Sequence, residues 1–70
     1  MRFFFHLFDG VKFLDLTGEE LRDDASAVRM GENIADYFAR ENPTRAAAAS
    51  VEIADGRGRV VAVLACAPSA

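Results

Sequence analysis

The sequence predicts an α+β fold in which a four-stranded, mainly antiparallel sheet carries one helix on one face. Two pairs of apolar segments are each joined by a glycine-containing turn, at Asp9-Gly10 and at Asp55-Gly56-Arg57-Gly58. Such pairs are typical of β-hairpins. One long segment with apolar residues at helical spacing lies between them. The predicted order is therefore β-β-α-β-β.

The first predicted strand covers residues 2–8, RFFFHLF, which hold four of the six phenylalanines and the only histidine. Aromatic residues favour strands. Asp9-Gly10 favours a hairpin turn because both residues tolerate positive φ. A second strand is expected at about residues 11–16, and Thr17-Gly18 then turns the chain.

The predicted helix covers about residues 24–41. Asp23 or Asp24 can accept the free N–H groups of its first turn, and Pro43 cannot continue it. Gly31 predicts a close approach of the helix to the sheet, because glycine in a helix otherwise lowers stability by about 1 kcal/mol relative to alanine. An apolar stripe at three- and four-residue spacings is expected to face the core: Ala27, Met30, Ile34, Tyr37 and Phe38.

The second predicted hairpin has strands at residues 50–54 and 59–65. The connection before it, residues 44–49, has no defined form, because an alanine tract can continue as a helical turn. Residues 68–70 are expected to fray. We find no repeat and no linker, so residues 1–70 are predicted to form a single domain, in which the order of strands stays open.

Strand parity divides each hairpin into two faces, provided that its loop has two or four residues. A three-residue loop with a bulge would shift the register. The face expected to carry the helix holds Phe3, Phe5, Leu7, Leu14, Leu16, Val51, Ile53, Val60, Ala62 and Leu64. The opposite, outward face holds Phe4, His6, Phe8, Val11, Phe13, Asp15, Ser50, Glu52, Arg59, Val61, Val63 and Ala65.

The outward face would leave apolar side chains uncovered, because a single helix covers only one side of a sheet. Contiguous apolar patches on a small protein usually mark an interface. We therefore expect association through this face, most simply as a two-fold homodimer, or with another protein partner. The residues expected to bind the partner are Phe4, His6, Phe8, Phe13, Asp15, Val61 and Val63.

His6 and Asp15 are expected to be neighbours on the outward face. An imidazole that donates to a carboxylate orients catalytic and metal-binding histidines, and it also satisfies a structural histidine at an interface. The pattern provides no nucleophile beside this pair. We therefore expect a structural pair and no enzymatic activity, whereas a catalytic role would require a pocket at His6.

Composition argues against several other classes of function. The formal net charge is −3 and the eight basic residues are spread along the chain, which disfavours nucleic acid. One cysteine and one histidine do not make a zinc site, and the acidic residues between 15 and 24 lack the alternation of a calcium loop. We expect no metal and no cofactor. No segment has the roughly 20 apolar residues that span a bilayer, and none resembles a signal peptide, so a cytoplasmic protein is expected.

Three stretches occur in order along nearly the whole chain: FFFHLFDG at residues 3–10, DLTGEEL at 15–21 and VEIADGRGRVV at 51–61. With them the sequence resembles a group of small proteobacterial proteins classed as a domain of unknown function, which open with a YFFHLRDG-like strand. The resemblance implies a β-β-α-β-β fold and no established activity. His6 and Asp15 coincide with histidine and aspartate of that group, whereas Phe3 and Phe8 replace its usual tyrosine and charged residue.

The sequence is also similar to antitoxins of the HicB type, in which an aromatic N-terminal hairpin precedes an acidic turn and an amphipathic helix. It lacks their Pro-Gly turn. We therefore expect a small non-catalytic interaction module, with an antitoxin-like or regulatory subunit that binds a basic partner as the alternative.

Overall fold

Seven elements make up the computed structural model, which describes residues 1–67. They are β1 (Arg2–Phe8), β2 (Lys12–Phe13), β3 (Glu19–Glu20), α1 (Asp24–Glu41), α2 (Pro43–Ala46), β4 (Ser50–Asp55) and β5 (Val60–Ala65). The α+β class is confirmed, and the order roughly matches β-β-α-β-β. The expected fraying of residues 68–70 lies outside the described residues.

The sheet is antiparallel throughout and has the order β2-β1-β4-β5, with β3 also paired to β1. The two hairpins meet through β1 and β4, whose register runs from Phe3↔Asp55 to Phe8↔Ser50. The predicted second strand, residues 11–16, is a strand only at β2, which pairs with the end of β1. The sequence did not predict β3, which pairs with the beginning of β1. Between them the chain leaves the sheet.

Helix α1 begins and ends where the sequence predicts. Its N-cap is Asp23, whose Oδ1 accepts the backbone N–H of Ser26 at 2.8 Å. After Asn42, Pro43 begins the short helix α2, because proline is tolerated in a first helical turn. The undefined connection after α1 is therefore helical at first.

Helix α1 packs on β4 and β5 through small residues. A Cβ at Gly31 would lie 2.5 Å from Ile53 Cδ1, which confirms the predicted close approach of helix to sheet. Tyr37, predicted to lie in the core, is instead 61 % exposed. The buried cluster comprises Phe3, Ala27, Ala35, Ala46, Ala49, Val51, Ile53 and Cys66.

The second hairpin follows the predicted faces up to a β-bulge. Val51↔Leu64 and Ile53↔Ala62 lie on the helix side, and Glu52↔Val63 on the outward side. The register then shifts, so that Val60 pairs with Ala54 and Val61 is the extra residue. The predictions for these two valines are wrong, since Val60 joins the outward face and Val61 packs against the core cluster.

The first hairpin has a three-residue connection, with Gly10 at φ 74. Leu7 therefore lies opposite Phe13, and Phe8 opposite Lys12. Directly opposed residues share a face, so Phe13 lies on the side of Leu7, and its predicted place beside His6 is wrong. The odd loop length shifts the register by one residue, which exchanges the faces.

Gly31→Ala should lower the free energy of unfolding by about 1–3 kcal/mol, because the added methyl group overpacks the helix–sheet contact. Gly56→Ala is the matched control, since a Cβ there would have only Arg2 O, at 3.8 Å, as a neighbour. Urea denaturation followed by circular dichroism measures both. Equal stability of the two variants would contradict the close approach.

Candidate functional site

The Asp15 carboxylate takes the place of a missing strand beside β1. Its Oδ2 accepts the backbone N–H of Phe5 at 3.1 Å, and its Oδ1 accepts those of Thr17 and Gly18, both at 3.0 Å. Phe5 lies between the residues of β1 that pair with β2 and those that pair with β3. The side chain thus satisfies a strand donor that neither short strand reaches.

His6 is bound to the backbone of the same residue. The N–H of Asp15 donates to His6 Nδ1 at 3.0 Å, so this nitrogen is the unprotonated one and a neutral ring carries its proton on Nε2. The predicted proximity of the two residues is therefore found, but the imidazole accepts from the backbone and does not donate to the carboxylate. The Phe4 and His6 rings stack with centroids 6.5 Å apart.

The hydrogen bonds keep the Asp15 carboxylate ionised. Burial is the largest single influence and acts to raise its pKa. The backbone N–H groups of Gly18, Phe5 and Thr17 together outweigh burial and lower the pKa below its ordinary value of 3.8. All three backbone donors bond the charged form, which is the form they favour.

The outward face is more polar at β1 and β2 than the sequence predicts. Lys12 Nζ lies 4.8 Å from the centre of the Phe8 ring and 3.7 Å from Glu52 Oε1. This cation covers part of the expected apolar patch. Sequence reasoning missed it because the three-residue loop, which cannot be read from composition, places Lys12 opposite Phe8.

The outward face is most apolar at β5, where Val60 and Val63 are 51 % and 60 % exposed. Four of the predicted partner-binding residues share this face through the sheet register: Phe4, His6, Phe8 and Val63. Asp15 lies in the β2–β3 connection, where its carboxylate accepts from Phe5 and its backbone N–H donates to His6. Phe13 and Val61 do not belong to the outward face.

An arginine clamp joins the β4–β5 turn to the start of α1. One terminal nitrogen of the Arg59 guanidinium lies 3.0 Å from both carboxylate oxygens of Asp24. The Nε of Arg59 donates to Asp55 Oδ2 at 3.0 Å. Asp55 Oδ1 also accepts the N–H groups of Arg57 and Arg59. The backbone N–H of Arg59 is the main reason that the pKa of Asp55 is lowered. Parity alone placed Arg59 on the outward face and gave no sign of this clamp.

A groove of about 540 Å³ lies between α1 and the end of β5, away from His6 and Asp15. Glu32, Asn33 and Asp36 line it from the helix. Val63, Leu64 and Ala65 line it from the strand. It therefore has an acidic wall and an apolar wall.

Within residues 1–67, no group of three or more His, Cys, Asp or Glu side chains is placed to hold a metal ion. The helices in this part of the chain are all too short or too polar to cross a membrane.

The sequence matches a known protein family. The model of a family described as Domain of unknown function (DUF6894) matches residues 2–67. The chain belongs to this family. The resemblance to a domain of unknown function is thereby confirmed, and the match spans every strand and helix of the DUF6894 domain. Searches of curated proteins and of solved structures gave no match.

Asp15→Ala should lower the free energy of unfolding by about 1–3 kcal/mol, because it leaves the partly buried N–H of Phe5 without an acceptor. Glu41→Ala is the control, since this exposed carboxylate has no hydrogen bond or ion pair within residues 1–67. Thermal denaturation compares the two. A stability loss no larger for Asp15→Ala than for Glu41→Ala would show that the Asp15 hydrogen bonds contribute nothing.

Acid should unfold the domain through its hydrogen-bonded carboxylates. The folded-state pKa values of Asp15, Asp23 and Asp55 are lowered below 3.8. Their stabilisation is therefore present above that value and is lost as pH falls through the lower folded-state pKa values. Urea titrations at stepped pH should show stability falling below about pH 4, and less steeply in Asp55→Asn. An unchanged slope in that variant would contradict the role of Asp55.

Proposed function

We propose that this DUF6894 domain is a small, non-catalytic interaction module that self-associates through the open face of its sheet, at β5. One observation carries the proposal. Val60 and Val63 lie more than half exposed on the side of the sheet opposite α1. Exposed apolar residues side by side on a sheet face are typical of an association surface.

The polar groups near His6 support a structural role for that residue. The Asp15 carboxylate is occupied by three backbone N–H groups, and His6 Nδ1 by a fourth. Both groups therefore hold the β2–β3 connection on β1. The groove lies elsewhere, between α1 and β5, which supports a structural role for this pair.

The charge and thiol chemistry favour a protein partner in a reducing compartment. A net charge of −3 repels nucleic acid phosphates and anionic lipid surfaces. Cys66 is a buried free thiol, and burial is the main cause of its raised pKa, which makes it unreactive. The proposal accordingly places the module in the cytoplasm.

A second candidate function is an antitoxin-like or regulatory subunit that binds a basic protein. The acidic wall of the groove, formed by Glu32 and Asp36, favours it through charge complementarity. In that case the isolated domain would be monomeric, and Glu32→Lys would abolish binding of the basic partner.

Val63→Lys should convert a self-associated wild type to monomer, because it places a charge in the apolar part of the face. The substitution should preserve the fold, since the introduced ammonium group would lie opposite Glu52 on β4 and opposite charges across a strand pair are favourable. Sedimentation equilibrium at micromolar concentration measures the association.

Val11→Lys is the matched control for this substitution. Val11 is the same residue type and is 64 % exposed, but it lies in the β1–β2 turn, at the edge of the sheet opposite β5. It should leave association unchanged. A monomeric wild type, or equal weakening by both substitutions, would refute self-association at β5.

A further inference from the structure

We propose that two copies of the domain pair antiparallel through their β5 edges, and that Arg57 of each copy enters the acidic groove of the other. This inference rests on the proposed self-association and locates the contact at the β5 edge, beside the exposed Val60 and Val63 of the open face. The occupant of the groove is a second copy of the chain. Each half of the interface has one ionic contact, between Arg57 of one copy and the acidic residues of the groove in the other.

The first support is the β5 edge itself. Within residues 1–67, β5 pairs with β4 only and forms one edge of the sheet. Its sequence, VVAVLA, contains none of the charged residues or prolines by which edge strands avoid pairing. After the bulge at Val61, the remainder of the strand is regular and can offer its free N–H and C=O groups to another strand.

The second support is the unbalanced charge in the groove beside that edge. Glu32 and Asp36 stand four residues apart on α1, where like charges destabilise a helix. Neither has an ion-pair partner within residues 1–67. Arg29, one turn before Glu32, bonds Ser26 Oγ instead. A cation from outside would relieve the repulsion between the two carboxylates.

The third support is a cation free to reach the groove of a partner. Arg57 lies in the exposed β4–β5 turn, and within residues 1–67 its side chain forms no hydrogen bond or ion pair. Arg59, by contrast, is held by Asp24 and Asp55. Arg59 of this turn therefore forms the clamp, whereas Arg57 is exposed to solvent.

Two-fold symmetry brings these features together. In an antiparallel pair of β5 strands, the beginning of one strand lies beside the end of the other. The turn before Val60 of one copy therefore lies next to the end of β5 in its partner, where Ala65 and Ala67 line the groove. The same contact occurs twice, as an isologous interface requires.

Charge reversal tests the ionic contact in the full chain. Arg57→Glu should weaken dimerisation about tenfold, because it sets a like charge against the groove. The double variant Arg57→Glu with Asp36→Arg should recover most of the affinity, since the pair is restored with opposite sign. Arg22→Glu, an equal change of charge at a side chain 80 % exposed near the start of α1, should have no effect. Sedimentation equilibrium gives each constant, and circular dichroism checks folding.

Amide hydrogen exchange tests the strand pairing independently of any substitution. The β5 N–H groups that do not bond β4 should become protected as wild-type concentration rises from low micromolar to millimolar. A wild type that dimerises while Arg57→Glu has no effect, or while these amides stay unprotected, would overturn this inference and leave self-association standing. A monomeric wild type would overturn both.

Discussion

The pairing of β1 with β4 is the interaction on which the rest of the domain depends. It joins residues 42 to 52 positions apart in the chain and runs without interruption from Phe3↔Asp55 to Phe8↔Ser50. Because it unites the N-terminal and C-terminal hairpins, the chain between them must cross one face of the sheet. Helix α1 makes that crossing over β4 and β5. Phe3, Val51 and Ile53, the largest fully buried side chains, all lie on these two strands.

Local patterns were sufficient to predict some elements from the sequence. The bounds of α1 follow from Asp23 and Pro43, which act within one turn of the helix ends. Gly31 showed where the helix approaches the sheet, because a glycine inside a helix needs a packing reason. The faces of β4 and the regular part of β5 followed from alternation, which is reliable when both strands are continuous.

The first hairpin and the polar contacts could not be predicted in this way. A loop of three residues instead of two or four moves Phe13 to the other face and brings Lys12 over Phe8, and Asp9-Gly10 fits either length. The bulge at Val61 had no glycine to signal it. The role of Asp15 depends on a gap between two short strands, which exists only once the sheet has formed. The contact between Arg59 and Asp24 spans 35 residues, a separation at which local spacing carries no information.

The Asp15 carboxylate, which bonds β1 where a strand would otherwise pair, limits the addition of further strands to the sheet. On the β1 side, two-residue strands and the Asp15 side chain occupy the hydrogen-bonding groups of the edge, so little backbone remains there for another chain to bind. Edges interrupted in this manner resist templated addition. Within residues 1–67, the longest open edge is that of β5, which is regular after its bulge. Addition of strands to this domain would therefore terminate at two copies, and the fold itself would act as a stop against fibre formation.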